Sequence, residues 1–465
     1  MPVSPARAAT FEILLRVETT EAYASEMLHS ARFAKLSPTD HGLLMELVMG
    51  VLRWRGVLDA KIAELSSQPL SKLDREVLIA LRLGTYQLLF LDRIPQHAAI
   101  NESVELVKQA RKRSAAGVVN AVLRKIAGSH FSQKRGEVGH PSLDNRPGDY
   151  RAAHPPWLIE RWERIYGPEV TSKICEYDQS APQMAVRIIN AEPSSGVNGS
   201  PTHVGAGALT RPAALGTTID GIQLASGKLL SKAAIVTAGD ISLTAAFRQR
   251  RLVIQDEASQ LVALLVGQGN AIFDCCAAPG GKTRIMAERN PNATVVAMDM
   301  HPHRAALVRK LVTEPNVQVV AADARKMPFA KEFDRILVDA PCSGTGTLAR
   351  NPEIKWRLAP EDILRLQAYQ MEILTAAMKH VAKGGRVIYS TCSLEPEENE
   401  AVVENAVGSE SLFKLVDCAD ELRRLAREGE LVWEDIESLL SGPYLRTIPG
   451  VHPCDGFFAA VLERL

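Results

Sequence analysis

Beyond Leu252 the chain repeats one pattern: a short apolar run, a polar or reactive residue at its end, then a helical stretch. The runs are AIFDCC (271–276), TVVAMD (294–299), VQVVAADA (317–324), RILVDAPCS (335–343) and RVIYSTCS (386–393), separated by helical stretches such as 303–312 and 361–381. Apolar strands that alternate with helices are buried on both faces, which predicts a mostly parallel, doubly wound sheet. Ligands of such sheets bind beyond the carboxyl ends of the strands. Those ends carry Asp274, Asp299, Asp323, Asp339 with Cys342, and Cys392.

The first strand runs into DCCAAPGGKT (274–283), a turn of small residues whose backbone can approach a ligand closely. Three cofactor classes compete for it. A phosphate-cradling loop needs G-x-x-x-x-G-K-[ST]; Gly281, Lys282 and Thr283 satisfy its end, but Cys276 stands where its first glycine belongs. A dinucleotide fingerprint needs G-x-G-x-x-G, which is absent, although Asp299 lies at the spacing of a ribose-binding acid. What remains is a nucleoside cofactor without a pyrophosphate, and S-adenosylmethionine fits. Its amino-acid end could lie across the Gly280–Lys282 turn, Asp299 could accept both ribose hydroxyls, and Asp323 could accept a proton of the adenine amine in a hydrogen bond. Carboxylates around a sulfonium are favourable, and around a triphosphate they are not. Each aspartate alone is also an ordinary turn residue or cap; their joint placement favours the ligand.

Cys342 and Cys392 follow two strands that lie near each other in such a sheet. A buried cysteine is commonly inert packing, but a pair at the ligand edge suits covalent catalysis. Attack of a thiolate on C6 of a pyrimidine makes C5 enamine-like and able to take a methyl group. Asp339 is placed to stabilise the charge developing at ring N3 if it is protonated or shares a proton with the base. A base must afterwards remove the C5 proton so that elimination releases the thiol. A free thiol has a pKa of about 8.5, so the nucleophile needs activation. Pro396 suits the first turn of a helix whose positive end could help Cys392, whereas Glu395, Glu397 and Glu398 would oppose it; the sign stays open at this stage.

The rest of the chain is different in kind. The first ~130 residues read as helices throughout: Ser37, with Thr39 and Asp40, can cap a segment in which Leu43, Leu44, Leu47, Val48 and Val51 recur at helical spacing, and Asn101 can open INESVELVKQARKR. Residues 130–150 read as a linker, HPPWLIERWERIYG (154–167) as an amphipathic helix with Trp157 and Trp162 as core anchors, MAVRIIN (184–190) as a strand, and 191–212 as a flexible insertion. Charge balances at 54 basic against 54 acidic residues but is unevenly spread. Residues 106–136 hold eight basic residues (Lys108, Arg111, Lys112, Arg113, Arg124, Lys125, Lys134, Arg135) and no acidic one, whereas 395–437 hold fourteen acidic against four basic. The reading is of two opposite surfaces; the basic one could bind a polyanion or be a solvated helix face. No apolar run approaches the roughly 18 residues of a membrane span, and the N-terminus lacks the apolar stretch of a secretory signal. Seven cysteines without a C-x-x-C pair fit neither a disulfide framework nor a structural zinc site. A cytoplasmic protein using its cysteines as thiols is expected.

DCCAAPGGKT, DAPCSGTG, RNPEIKWR, STCSLEPEENE and the terminal DGFFAAVL together resemble the RNA cytosine-5 methyltransferase family, over residues 252–465. The resemblance implies that the thiol of the T-C motif, Cys392, is the nucleophile and that of the P-C motif, Cys342, assists product release. It places cofactor contacts at Cys276, Ala277, Ala278, Pro279, Gly280, Gly281 and Lys282, and at Asp299, Asp323 and Asp339. Cys275 matches no functional position. Residues 1–130, with INESVELVK and GVVNAVLRKI, resemble the NusB-type RNA-binding domain, and this fusion is similar to bacterial enzymes that modify a cytosine of small-subunit ribosomal RNA. Residues 191–243 depart from the family pattern. The expectation is an α/β protein in three parts: an all-α NusB-like bundle (1–135), a small α+β middle domain (150–245) and a Rossmann-like, S-adenosylmethionine-dependent methyltransferase domain (246–465) acting on 16S ribosomal RNA. No metal, membrane or oligomer is predicted. Transfer RNA is the rival substrate, and a non-catalytic RNA-binding or assembly factor the rival class. The NusB-like part speaks against the first, the paired cysteines and strand-end acids against the second.

Overall fold

In the N-terminal part, apolar residues spaced three and four apart produce helices with a single buried stripe. The computed structural model describes residues 3–28, 30, 32–33, 35–134, 150–189, 217–330 and 332–465. Helices span Pro5–Thr19, Ala24–Leu28, Pro38–Leu65, Arg75–Phe90, Gln96–Gln109, Ala116–Lys134 and Pro156–Gln179. The Pro38–Leu65 helix buries Leu44, Leu47, Val48, Val51, Trp54, Leu58 and Ile62. Each such side chain contributes roughly 1.5–3 kcal/mol. Its start follows the expected cap: Ser37 Oγ accepts from the Asp40 amide at 3.1 Å. The Arg75–Phe90 helix is buried almost all round, as a central helix must be, and the Tyr86 ring fills the space where a Cβ on Gly50 would stand, 2.0 Å from it.

Several expectations are corrected here. Asn101 lies inside the helix that begins at Gln96 after Pro95, because proline preorganises an earlier start. The helix from Ala116 continues to Lys134, through the beginning of the supposed linker; residues 135–149 and the insertion 191–212 lie outside the described residues. Trp162 is fully buried, but Trp157 is only half-buried.

Contacts group the chain into two units, Met1–Ala181 with Leu348–Arg357, and Pro182–Thr347 with Leu358–Leu465. The range 150–245 is thereby divided: the helix Pro156–Gln179 belongs to the first unit and the strands from Met184 onward to the second. The helical unit also takes in RNPEIKWR from far along the chain. Ala24 N donates to Glu353 Oε1 at 2.7 Å, Lys355 Nζ to the Arg53 carbonyl at 3.1 Å, Trp356 Nε1 to the Leu52 carbonyl at 3.1 Å, and Arg357 to the carbonyls of Val17 and Ala22 at 2.7 and 2.6 Å. Burial lowers the Lys355 ammonium to about 7, against the pull of Asp178 and Cys175.

The second unit holds two sheets. The smaller is antiparallel, built from β1 (Met184–Ile188), β2 (Thr217–Ile219), β3 (Ile222–Ser226), β4 (Ala233–Ala238) and β5 (Leu252–Ile254) in the order β2-β3-β4-β1-β5. The larger contains the five expected strands: β6 (Ala271–Asp274), β7 (Thr294–Asp299), β8 (Val317–Ala321), β9 (Phe333–Asp339) and β10 (Val381–Thr391), parallel in the order β10-β9-β6-β7-β8. Helices Gly281–Arg289, Pro302–Leu311 and Pro360–Met378 connect them. Four further strands, β11 (Phe413–Val416), β12 (Leu440–Ser441), β13 (Tyr444–Thr447) and β14 (Phe457–Arg464), extend the sheet in antiparallel fashion beyond β10, which makes it mixed. Among the described residues no helix is long and apolar enough to cross a membrane.

Part of the acidic run lies at the surface, with Asp417, Asp420, Glu428, Glu434, Asp435 and Glu437 exposed, and part does not. Glu395 and Glu398 are fully buried, and Glu421 pairs with Arg386 at 2.6 Å. In the basic run, Lys112 pairs with Asp74 at 3.0 Å and Lys108 with Glu105 at 3.3 Å.

Candidate active site

Because β6, β7, β9 and β10 are parallel, their carboxyl ends share one edge, and the register aligns Asp339 on β9 with Ser390 on β10. Cys342 and Cys392 therefore lie three and two residues beyond paired positions. Their sulfur atoms are 3.3 Å apart. The hydrogen bond to Cys392 holds the Cys342 thiol well above the ordinary thiol range; burial and the charges of Cys392 and Glu398 add to it. The two cysteines are thus inequivalent: Cys342 is kept protonated beside Cys392.

The turn after β6 is strapped over the sheet, with Cys275 N donating to the Leu337 carbonyl at 2.9 Å and Ala277 N to the Met298 carbonyl at 2.8 Å. The Ala278–Pro279 peptide is cis. Gly280 turns the chain into the helix Gly281–Arg289 at φ 110°, and a Cβ there would stand 2.5 Å from Val312 Cγ2, so only glycine fits. Beneath the turn Asp274 is buried and accepts from Thr283 Oγ1 at 2.6 Å. Burial, with Asp339 adding its charge, pushes the Asp274 carboxyl up to about 7. Cys276 is raised as well, by burial and then by the carboxylates of Asp274, Asp339 and Asp299. These three acids converge on the turn. Cys275 points into the sheet core, consistent with packing alone.

Lys282 opens the helix and reaches across to Asp339. Its Nζ donates to Asp339 Oδ2 at 2.7 Å and lies 5.1 Å from the centre of the Phe457 ring. Burial works against the Lys282 ammonium, but Asp339, followed by a Cys392 thiolate and Asp274, raises its pKa overall. Asp339 Oδ1 accepts from Ser390 Oγ at 2.8 Å, so both carboxylate oxygens already have donors. Sequence reasoning weighed an Asp339 that is protonated or shares a proton with the base; in the structure its two oxygens accept from Lys282 and Ser390.

Asp299 is buried at the end of β7 with Oδ1 accepting from the His301 amide at 3.0 Å. Asp323, beyond β8, is engaged by Arg325: the amide donates to Oδ1 at 2.9 Å and Nη2 to Oδ2 at 2.7 Å. The Arg325 guanidinium holds the Asp323 carboxyl below the usual range. A hydrogen bond from an adenine amine would share this carboxylate with Arg325. The site fits S-adenosylmethionine on its own chemistry: a glycine turn open to close approach, a buried acid at the end of the next strand, and converging carboxylates of a charge that suits a sulfonium.

Sequence reasoning missed the layer that holds these groups. Ser390 on Asp339, and Ser343, Gln370 and Ser393 behind the cysteines, were passed over although three of them stand within the quoted motifs, and Glu398 was read only as a charge opposing Cys392. The helix expected to begin at Pro396 is a single 3-10 turn, Pro396–Glu398; the helix proper is Glu400–Ser409. No long helix dipole starts beside Cys392.

Comparison with known proteins follows the same division. Residues 261–463 match the 16S rRNA methyltransferase RsmB/F family, and residues 4–128 the NusB family. The chain is 32% identical to the probable ribosomal RNA small subunit methyltransferase B of Bacillus subtilis, over all of both chains. It is also 32% identical to the ribosomal RNA small subunit methyltransferase B of Vibrio cholerae, over 98% of this chain and 97% of that one. Among solved structures, PH0851 superposes over all of both chains with a TM-score of 0.74 at 22% identity, a likeness of fold.

Proposed function

The chain belongs to the RsmB/F family of 16S rRNA methyltransferases, as an S-adenosylmethionine-dependent enzyme with an N-terminal NusB-family domain, and from that premise we propose that it methylates C5 of a cytosine in small-subunit ribosomal RNA through a covalent Cys392 adduct. The observation that carries this reading is the pair of thiols 3.3 Å apart with Lys282 and Asp339 beside them.

Cytosine C5 is a poor nucleophile, so the ring must first be activated. The attacking form is the Cys392 thiolate, with the Lys282 ammonium among its charged neighbours. Cys392 sulfur bonds to C6, and the displaced electron pair moves toward N3, where the protons of the Lys282–Asp339–Ser390 cluster stabilise it. C5 is then enamine-like. Bound S-adenosylmethionine, held by the Cys276–Lys282 turn, Asp299 and Asp323, supplies an electrophilic methyl group.

Release needs a base for the C5 proton, and the inequivalence of the thiols provides one in sequence. Cys342 is held protonated first by its hydrogen bond to Cys392, then by burial, then by that neighbour's charge. Once Cys392 is a thioether, its charge is gone and its hydrogen bond is weakened while burial remains, so Cys342 becomes easier to ionise at the stage where a base is required. It takes the C5 proton, the C5–H electrons reform the C5=C6 bond, and the Cys392–C6 bond breaks to regenerate the thiolate. The target base must be unpaired or flipped out, since C6 in a stacked helix is beyond reach of either thiol.

The basic residues Lys108, Arg111, Lys112, Arg113, Arg124 and Lys125 of the helical unit are the phosphate-binding candidates, with Lys112 and Lys108 already paired to acids. Bisulfite sequencing of ribosomal and transfer RNA, from cells with and without the gene, tests the substrate. A cytosine of small-subunit RNA losing its protection only in the deletion is expected; loss confined to transfer RNA refutes the assignment.

A further inference from the structure

The loops that carry the two thiols are tied to one buried carboxylate. Glu398 is fully buried on the turn Pro396–Glu398. Its Oε1 accepts from the Ser343 amide at 2.8 Å and from Gln370 Nε2 at 2.8 Å, and its Oε2 accepts from Ser393 Oγ at 2.5 Å. Gln370, on the helix Pro360–Met378, also donates to the Pro341 carbonyl at 2.9 Å. The residues after Cys342 and after Cys392 therefore converge on a single side chain, and Pro341 is tied to it through Gln370. The loops are further joined by Ser343 Oγ and Ser393 Oγ at 3.0 Å, and by the Gly346 amide donating to the Cys392 carbonyl at 2.9 Å.

The carboxylate is itself immobilised. Tyr389 hydroxyl donates to the Glu398 carbonyl at 2.6 Å, Thr391 Oγ1 to Asn399 Oδ1 at 2.5 Å, and Asn399 Nδ2 to the Ser393 carbonyl at 2.9 Å. Burying a carboxylate is costly; burial raises its pKa, while the bonds from Ser343, Ser393 and Gln370 oppose the rise. An apolar side chain would fill the space at lower cost but would tie neither loop.

We propose that Glu398 is a positioning residue, fixing the Cys342 and Cys392 loops in the one relative placement from which both sulfur atoms reach the same pyrimidine. The proposal rests on the two-thiol chemistry argued above. Glu398 touches neither the cofactor turn nor the strand-end acids, so its effect falls on the chemical step. An error of about 1 Å between reacting groups costs on the order of 100-fold in rate.

The test uses the full chain with Glu398→Ala, Glu398→Gln and Ser393→Ala, and transcribed small-subunit ribosomal RNA. A glutamine keeps an oxygen toward Ser343 and Gln370 and turns its amide to Ser393 Oγ, so most activity should return. Glu398→Ala should lose about 100-fold in kcat, with the KM for S-adenosylmethionine held and with a loss larger than Ser393→Ala shows at a matched fall in melting temperature. Ser393→Ala, which removes the Ser393 hydroxyl from Glu398 and Ser343 but leaves the Ser343 amide and Gln370 on the carboxylate, should lose less, and it decides the question should Glu398→Ala not fold. A second arm needs neither RNA nor cofactor: diamide takes two electrons and two protons from the thiol pair as one S–S bond forms, and is itself reduced to the hydrazine. The rate of Cys342–Cys392 bridging should fall in both alanine variants and recover in the glutamine variant. Wild-type kcat and bridging rate in the alanine variants would overturn the proposal, as would a glutamine variant as impaired as alanine, or a loss of kcat that simply follows cofactor affinity and melting temperature. If the bridging order holds while the wild-type protein forms no RNA adduct, the positioning stands and the assigned chemistry falls.

Discussion

Asp274 offers a quantitative check on the electrostatics of the site. The carboxyl is buried beneath the glycine turn, has Thr283 as donor, and is pushed from its ordinary 3.8 up to about 7, chiefly by burial. A carboxyl raised on folding binds protons more tightly in the folded chain. Stability therefore falls as pH rises from 3.8 through 7, and the contribution is fully present only below the lower value. At 1.36 kcal/mol per tenfold change in proton affinity, this range corresponds to about 4 kcal/mol, a large fraction of a typical 5–15 kcal/mol total. Asp274→Asn retains an oxygen for Thr283 and removes the ionisation. Urea unfolding followed by circular dichroism at pH values between 4 and 8 compares the two proteins, and their difference isolates this group because every other carboxyl titrates in both. The asparagine variant should gain on the wild type by about 4 kcal/mol over that interval. A difference independent of pH would show that Asp274 ionises normally, and the argument from burial would fail.

Other consequences are separable by assay. Cys342→Ala should accumulate a covalent protein–RNA adduct on a denaturing gel, since the base for C5 is lost; normal turnover would remove its release role. Gly280→Ala forces a side chain into positive φ and against Val312 at 2.5 Å. It should cost at least about 1–3 kcal/mol in stability and weaken cofactor binding; an unchanged melting temperature would contradict the turn geometry. Asp299→Ala should weaken S-adenosylmethionine binding in calorimetry through lost ribose contacts, and unaltered affinity would reject that assignment.

Much of the catalytic unit was legible because its strands are buried on both faces. β6 to β10 read as apolar runs with reactive ends, and the neighbouring placement of Cys342 and Cys392 follows from the parallel order alone. The antiparallel extension was harder: β11, β12 and β13 are two to four residues long, too short for periodicity to declare itself. Glu398 was misjudged for a physical reason. A glutamate within an acidic run reads as solvated, and only tertiary donors from Ser343, Gln370 and Ser393, distant by up to 55 residues, make its burial tolerable. Lys282 was found as part of a cofactor turn, but its reach to Asp339, 57 residues on, is a property of the fold. RNPEIKWR was recognised as a motif, yet its packing against Val17, Ala22, Leu52 and Arg53 has no signature in its own sequence.

The central claim is a bond from Cys392 sulfur to C6 of a cytosine. Small-subunit ribosomal RNA carrying 5-fluorocytosine, incubated with the enzyme and S-adenosylmethionine, should trap that bond, because fluorine at C5 leaves no proton for the release step. Mass spectrometry of the digested complex is expected to find the nucleotide on the peptide containing Cys392. A trapped peptide containing Cys342 instead, or no adduct while methylation of the unmodified RNA proceeds, would contradict it.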